Sequence, residues 1–551
     1  MGRPTRPRRR VRREPRVRYE NLFSYLRTEP RLELIEKGLR RALRMGGFVS
    51  RGRPLAVDGF RLRDLRQWSN CPGTLAVNIG SISSYCDCDC EFCFEKDALR
   101  SGMALGRGYL SLQEVETRRR YYSPQTHRGL LLSHRRYLEP FANPRCLEIL
   151  ERVHASAPDE TIVLTTNGSA LTEDVVARLA RLRPLLLGVS LNAASVEMRL
   201  RSMREKSPQA AATALASPEL LRKYEIPFVG SYVPWPGRPL SDLADTVRLV
   251  DRNDGLLVRI CLPSWARWTR SRPPFDHAEY WGRILEVVAG LRDEVSLPIH
   301  VTPGMYELQT MRPVVLGTVK HSPADQAGIR YGDLILAVDG QPVLTRPEVC
   351  GLLQMRARDP KAAVTRFSLE RRGERIEVQV PHVQDPETLR YPSRGLVQPA
   401  VSCEGVRFLG IFLPDGFQLT SFMRLKGIVE EYPGKPILFY ISPLAGPHFL
   451  EGLGMLGEAA AFLDTADVYV EVLRPRYWGG NMILGDLWTN GDIIQHTQEW
   501  MATTGVRPEV IIVPQTYLSE SARDLLARPY VEVERALDIE VRLLPCNRIC
   551  A

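Results

Sequence analysis

Between Tyr85 and Phe94 the chain reads Tyr-Cys-Asp-Cys-Asp-Cys-Glu-Phe-Cys-Phe, which places four of its eleven cysteines within eight positions. A buried strand or helix uses cysteine singly, as a small apolar side chain, and core packing gives no reason to gather four together. Thiols at this density point to a zinc ion, a disulfide or an iron–sulfur cluster. The run Thr74-Leu75-Ala76-Val77-Asn78-Ile79 just before them reads as a buried strand, so the thiols stand on the loop that leaves it.

Short apolar runs return at 130–132, 161–165, 185–191, 227–233 and 256–262. Helical patterning fills the gaps, for example at 144–154 and 171–182. Strands alternating with helices at this spacing predict parallel βα units, and six of them make a partial barrel. In such a barrel the loops at the C-terminal ends of the strands gather on one face, where ligands bind. The cysteine loop belongs to that face.

Cys86, Cys90 and Cys93 stand in the spacing Cys-x3-Cys-x2-Cys with Phe92 before the last thiol. This resembles the signature of the radical S-adenosylmethionine (radical SAM) superfamily. The resemblance implies a [4Fe–4S] cluster on these three cysteines, with the fourth iron open to S-adenosylmethionine (SAM) and Cys88 outside the ligand set. It further implies reductive cleavage of SAM to a 5′-deoxyadenosyl radical that takes hydrogen from a substrate, fed by a donor such as ferredoxin or flavodoxin. Phe92 matches the aromatic near the adenine. Glu139-Pro140 resembles the end of a Gly-Gly-Glu-Pro motif whose glutamate region meets the methionyl amino group, with Tyr137-Leu138 in place of the glycines. Thr166 and Asn167 match the end of the third strand, and Ser190 and Asn192 that of the fourth, where polar groups reach the ribose or carboxylate. Arg204, or its neighbour Arg201, is the candidate partner of the methionyl carboxylate.

From Met311 to Val383 the texture changes: Val314 to Val319, then Ser322-Pro323-Ala324, Ala327-Gly328, Gly332-Asp333, and the turn pairs Asp339-Gly340 and Arg372-Gly373. This resembles a bacterial PDZ domain, which implies a groove for a peptide or protein ligand. Beyond Pro386, Pro392 and Pro399 come the runs 406–413, 436–441, 468–472 and 510–513, with a helical segment at 451–463, which read as a third α/β unit. Its stretch Trp478 to Ile494 resembles a C-terminal domain of unknown function that accompanies radical SAM cores and PDZ domains in one bacterial family. In that family the PDZ domain comes first, whereas here it follows the radical SAM region.

The expected order is therefore an Arg-rich arm (1–18), a helical extension (19–73), a partial (β/α)6 radical SAM barrel (74–310), a small β-rich PDZ domain (311–383), a linker (384–402) and a C-terminal α/β domain (403–551). Of the net charge of +10, residues 1–20 carry +7 from nine arginines and two glutamates, which leaves +3 for the rest. The arm is too poor in apolar residues to fold, and its charge suits weak contact with nucleic acid. Scattered cysteines in odd number do not form a secreted disulfide framework, and no apolar run approaches the roughly 18 residues of a membrane span. A cytoplasmic location follows as the expectation. Cys71, Cys146, Cys261, Cys350 and Cys403 read as structural; Cys546 and Cys550, with Cys403 or Cys88, are the alternative holders of a second cluster. Two other functions remain open: a non-catalytic iron–sulfur regulatory protein, and a radical SAM enzyme that modifies nucleic acid.

Overall fold

The computed structural model describes residues 49–50, 53–54, 56–57, 60–61, 82–93, 96, 108–119, 139–158, 162–269, 275–359, 361–382, 409–413, 417–518, 523–526 and 528–546. The Arg-rich arm, most of the helical extension, the strands expected at 74–79 and 130–132, the linker, and Cys71, Cys403 and Cys550 lie outside these residues.

The first unit is a five-stranded parallel sheet whose order follows the chain: β1 (Ile162–Thr166), β2 (Leu185–Ser190), β3 (Phe228–Tyr232), β4 (Leu257–Cys261) and β5 (Ile299–Thr302). The first four coincide with the expected runs. β5 was not expected, because four residues with a polar His300 carry too weak a pattern. Side chains alternate between two faces, as they must on a strand. Ile162, Leu164, Leu185, Leu187, Phe228, Val258, Ile260, Ile299 and Val301 pack under the connecting helices. Those helices start where local chemistry dictates: Thr172, Ser195, Ser207 and Asp276 each accept a first-turn N–H at an N-terminus.

The opposite, concave face is closed at its lower end by a second core. Val163, Leu186, Val229 and Leu257 pack against Leu316, Val319 and Phe412, which belong to the following unit. That unit is a four-stranded antiparallel sheet of β6 (Leu334–Val338), β7 (Gln341–Pro342), β8 (Val364–Arg371) and β9 (Glu374–Pro381), with a helix at Arg346–Arg358. Both expected turns are present: Asp339-Gly340 joins β6 to β7 and Arg372-Gly373 joins β8 to β9, all four residues at positive φ, as a type I′ hairpin turn demands.

One run sits elsewhere than the sequence suggested. Residues 409–413, read with the C-terminal unit, pair antiparallel with 316–319: Leu316 N–H donates to Phe412 O (2.9 Å), Phe412 N–H to Gly317 O (2.9 Å) and Val319 N–H to Gly410 O (2.8 Å). Leu409, Ile411 and Leu413 then join Val315, Ile335, Leu353 and Phe367 in one core. The apolar content is the same in either unit, so only a pairing remote in sequence assigns it.

The last unit is a four-stranded parallel sheet in the order β11-β10-β12-β13, formed by β10 (Pro436–Ile441), β11 (Asp467–Val472), β12 (Val510–Pro514) and β13 (Glu540–Leu544). The helix expected at 451–463 begins earlier, at Gly446–Leu456, and continues as a 3-10 segment from Gly457, whose φ of +52° breaks the α geometry. Cys546 lies buried in this unit's core, in the cluster that includes Phe422, Phe439 and Phe449.

Candidate active site

The cysteine loop runs across the C-terminal ends of β1 and β2. Its backbone is held from two sides. Glu139 N–H donates to Tyr85 O (2.8 Å), while Asp89 and Glu91 N–H donate to Met203 O (2.9 Å) and Ser202 O (3.4 Å). The latter two are terminal carbonyls of the helix Val196–Met203, which lack partners within it. Lys96 Nζ bonds Cys88 O (2.5 Å) and Asp89 (2.8 Å), tying the loop to itself.

None of the four thiols is in a disulfide; Cys86, Cys90 and Cys93 are partly buried and Cys88 is 2 % exposed. The sulfurs of Cys86 and Cys88 and a carboxylate oxygen of Asp87 lie within 4.8 Å of one another. In space Cys88 is therefore not apart from the other thiols. It is distinguished by its partners, Asn167 Nδ2 at 3.2 Å and Glu205 Oε1 at 3.8 Å. The hydrogen bond with Cys88 and then burial push the Cys86 thiol up; the bond to Cys86 lowers Cys88, but Cys90 and burial raise it more. Crowded thiols of this kind ionise together only when a cation joins them. Backbone N–H groups of Cys88 and Lys96 already point at Cys86 Sγ and Cys93 Sγ, each at 3.4 Å. Soft thiol donors with N–H bonds to sulfur fit an iron–sulfur cluster in kind.

Behind the loop Glu139, Thr166 and Asn167 come together. Glu139, 2 % exposed, accepts from Asn167 N–H (2.6 Å), Thr166 Oγ1 (2.7 Å) and Phe141 N–H (3.2 Å). Burial pushes its carboxyl up to about 7 against those donors. Thr166 also receives Gly168 N–H (3.1 Å), and Asn167 Nδ2 reaches Asp87 (2.6 Å). Asn192, at φ +55°, accepts Val233 N–H on Oδ1 (2.9 Å) and is buried. Glu139, Thr166 and Asn192 each bond other parts of the chain. Phe92 lies 6.5 Å from Trp235, with the Arg238 guanidinium 5.1 Å above its ring, and Arg238 also pairs with Glu91 at 3.0 Å. Ser190 faces the concave side. Arg204 sits in the left-handed cap of its helix, half exposed, 3.7 Å from Asp89; Arg201 is exposed.

The arginine that enters the site is one the sequence reading passed over. Arg199 is fully buried and pairs with Glu205 through one edge of its guanidinium, Nε to Oε2 (2.9 Å) and Nη2 to Oε1 (2.8 Å). It donates to Ser190 O (3.0 Å), Leu191 O (2.5 Å) and Asn167 O as well. It thereby ties the ends of β1 and β2 to the acid that touches Cys88. Helical spacing carried the only hint, since Arg199 falls on the apolar side of Val196–Met203 with Met203, whereas Arg201 does not.

A parallel α/β sheet with clustered thiols on its C-terminal face defines a domain built to hold a thiol-ligated metal group. Comparison with known proteins gives that class its name. Residues 81–250 match the model of the Radical SAM superfamily and residues 314–363 that of a PDZ domain. Domains of this superfamily are enzymes that work with a [4Fe–4S] cluster and S-adenosylmethionine. Among solved structures the chain is similar to SuiB of Streptococcus suis bound to precursor peptide SuiA, at 15% identity over 52% of this chain and 68% of that one, with a TM-score of 0.30. It is also similar to anSMEcpe with bound AdoMet and Kp18Cys peptide, at 16% identity over 40% of this chain and 63% of that one (TM-score 0.31). The PDZ domain of an SdrC-like protein of Listeria monocytogenes matches at 16% identity over 19% and 87% (TM-score 0.14). Among the described residues no helix is long and apolar enough to cross a membrane.

Proposed function

We propose that this protein is a radical SAM enzyme that holds a [4Fe–4S] cluster on Cys86, Cys90 and Cys93 and abstracts hydrogen from a peptide or protein. The observation that carries the reading is the Cys-x3-Cys-x2-Cys loop on the C-terminal face of a parallel sheet, inside the segment that matches the superfamily. When bound, the cluster supplies the electron that cleaves SAM to a 5′-deoxyadenosyl radical. The chain's own part is placement. Phe92 with Trp235 offers an aromatic wall for the adenine; Ser190 and Arg204 are the groups left for the ribose and methionyl carboxylate. Glu139, Thr166, Asn167 and Asn192 hold the strand ends in register around them. The electron arrives from a ferredoxin or flavodoxin in a reducing cytoplasm.

The peptide substrate rests on the PDZ domain. Ile411 forms the outer edge of the strand 409–413, and among the described residues its N–H and C=O have no hydrogen-bond partner. Its side chain shares a core with Leu353 of the helix Arg346–Arg358. An open strand edge beside a helix is the setting in which an extended peptide adds a strand.

Anaerobic reconstitution with iron and sulfide, followed by assay for 5′-deoxyadenosine, tests the function. Cleavage of SAM by the reduced protein is the expected result; an intact, reducible cluster without cleavage points instead to a non-catalytic iron–sulfur protein. Cys90→Ala should lose the cluster's visible absorption, whereas Cys88→Ala should keep it. Retention of full absorption by Cys90→Ala overturns the ligand set.

A further inference from the structure

The concave face of the barrel sheet changes character from its lower end to its upper. Its floor is apolar: Val229 and Leu257 pack on Leu316, Val319 and Phe412. Two residues further along each strand, on the same face, the side chains are polar. Ser190 registers with Ser231, Ser231 with Arg259, and Arg259 with His300, which makes one transverse row across β2, β3, β4 and β5. In the next row Cys261 registers with Thr302.

Among the described residues, Arg259, His300 and Thr302 lack the side-chain partners that an inner wall normally provides. Arg259 has no ion pair or hydrogen bond to any described residue; the nearby Arg292 is engaged with Glu307 and Ile299 O. His300 stands edge-on to Phe412 (ring centroids 5.1 Å apart), and its Nδ1 is buried without a partner. Thr302 Oγ1 is buried and unpartnered too. Burial, with Arg259 and Arg292 alongside, pushes the His300 imidazole down to about 3, so the ring adds hydrogen bonding and no charge. Each unsatisfied buried polar group costs about 1–3 kcal/mol. A ligand that brings the missing acceptors removes that cost.

The charge and shape of the row select the ligand. One guanidinium balances one negative charge, and its planar fork matches the two coplanar oxygens of a carboxylate. The apolar floor offers nothing for a second charge. Arg259 lies two strands from Ser190, roughly 10 Å at the usual strand spacing, so a molecule anchored there spans the mouth of the barrel toward the cysteine loop. We propose that Arg259, flanked by Ser231, His300 and Thr302, is the subsite that anchors a carboxylate of the substrate. This rests on the radical SAM reading above and adds to it the chemical class of the substrate.

The test uses the full chain, reconstituted anaerobically, and its main readout is taken on the wild type. Arginines are labelled with phenylglyoxal and the rate at Arg259 is followed by peptide mass spectrometry, with propionate or its uncharged isostere propionamide as probe. Propionate should slow labelling of Arg259 severalfold, propionamide and SAM should not, and Arg259→Gln should bind SAM as the wild type does. No labelling of Arg259, or labelling indifferent to propionate, overturns the subsite. Protection by SAM alone together with loss of SAM binding in Arg259→Gln also overturns it, since the carboxylate is then the cofactor's. Formation of 5′-deoxyadenosine in the same preparation separates the two readings. Cleavage without propionate protection removes only the subsite, whereas protection without cleavage removes the enzyme assignment.

Discussion

Two buried acids, Glu205 and Glu139, sit within a few ångströms of the cysteine loop, and their surroundings give them different behaviour. Glu205 is matched by Arg199 in a bidentate pair that solvent does not reach. Removal of one member of such a pair strands the other charge and costs about 3–5 kcal/mol. Arg199→Met should therefore lower the stability of the barrel unit by that amount in urea unfolding, and the double change Arg199→Met with Glu205→Leu should recover most of it. A single mutant as stable as the wild type would show that the pair holds nothing. Among the described residues Glu139 has no cationic partner. Burial raises its carboxyl from the usual 4.5 to about 7, so the native state holds the proton more tightly than the unfolded chain does. That contribution to stability is full below about pH 4.5 and is lost as pH rises through about 7, a difference on the order of 3 kcal/mol. Stability measured from pH 5 to 8 should accordingly fall more steeply for the wild type than for Glu139→Gln, and parallel profiles would exclude it.

At the level of elements, the motif Trp478-Gly479-Gly480-Asn481 is explained by what it docks against. Asn481 accepts Trp265 N–H on Oδ1 (2.9 Å) and donates through Nδ2 to Pro263 O (3.0 Å), while Trp478 O accepts Arg267 N–H (2.7 Å). The C-terminal unit thus grips the loop that leaves β4 on the barrel's ligand face. Gly480 is required there twice over. Its φ is +64°, and a Cβ would stand 1.9 Å from Trp265 O. Gly480→Ala should loosen this contact without unfolding either sheet, read as faster proteolysis between Leu262 and Thr269 at unchanged helical circular dichroism. Equal cleavage rates in mutant and wild type would show that the grip does not depend on the close approach.

Across the whole molecule, the strand 409–413 completes the antiparallel unit, and that unit in turn plugs the floor of the barrel. A fragment spanning 311–413 should therefore be markedly more stable than one ending at 382, which lacks Leu409, Ile411 and Leu413 from its core; comparable unfolding midpoints would contradict the pairing. Phe412→Ala opens a cavity between barrel and plug and should cost about 3–5 kcal/mol. Because Phe412 also backs His300, the same change should alter phenylglyoxal labelling at Arg259 on the adjoining strand.

The sequence alone specified what depends on neighbours along the chain. The thiol spacing, the β1 to β4 runs, the type I′ turn pairs and three of the four C-terminal strands are written in patterns of a few residues, because strand alternation and turn geometry act over that range. Partnerships remote in sequence were legible nowhere in it. β5 and β13 are too short or too mixed to stand out, 409–413 carries the same apolar content as a strand of either unit, and Arg199 reads like its exposed neighbour Arg201 until the helix is turned toward Glu205. The cysteine loop belongs to both descriptions: its thiols are a local motif, while its anchorage to Met203, its contact with Asn167 and the polar row across the sheet below exist only where the packed strands bring those residues together.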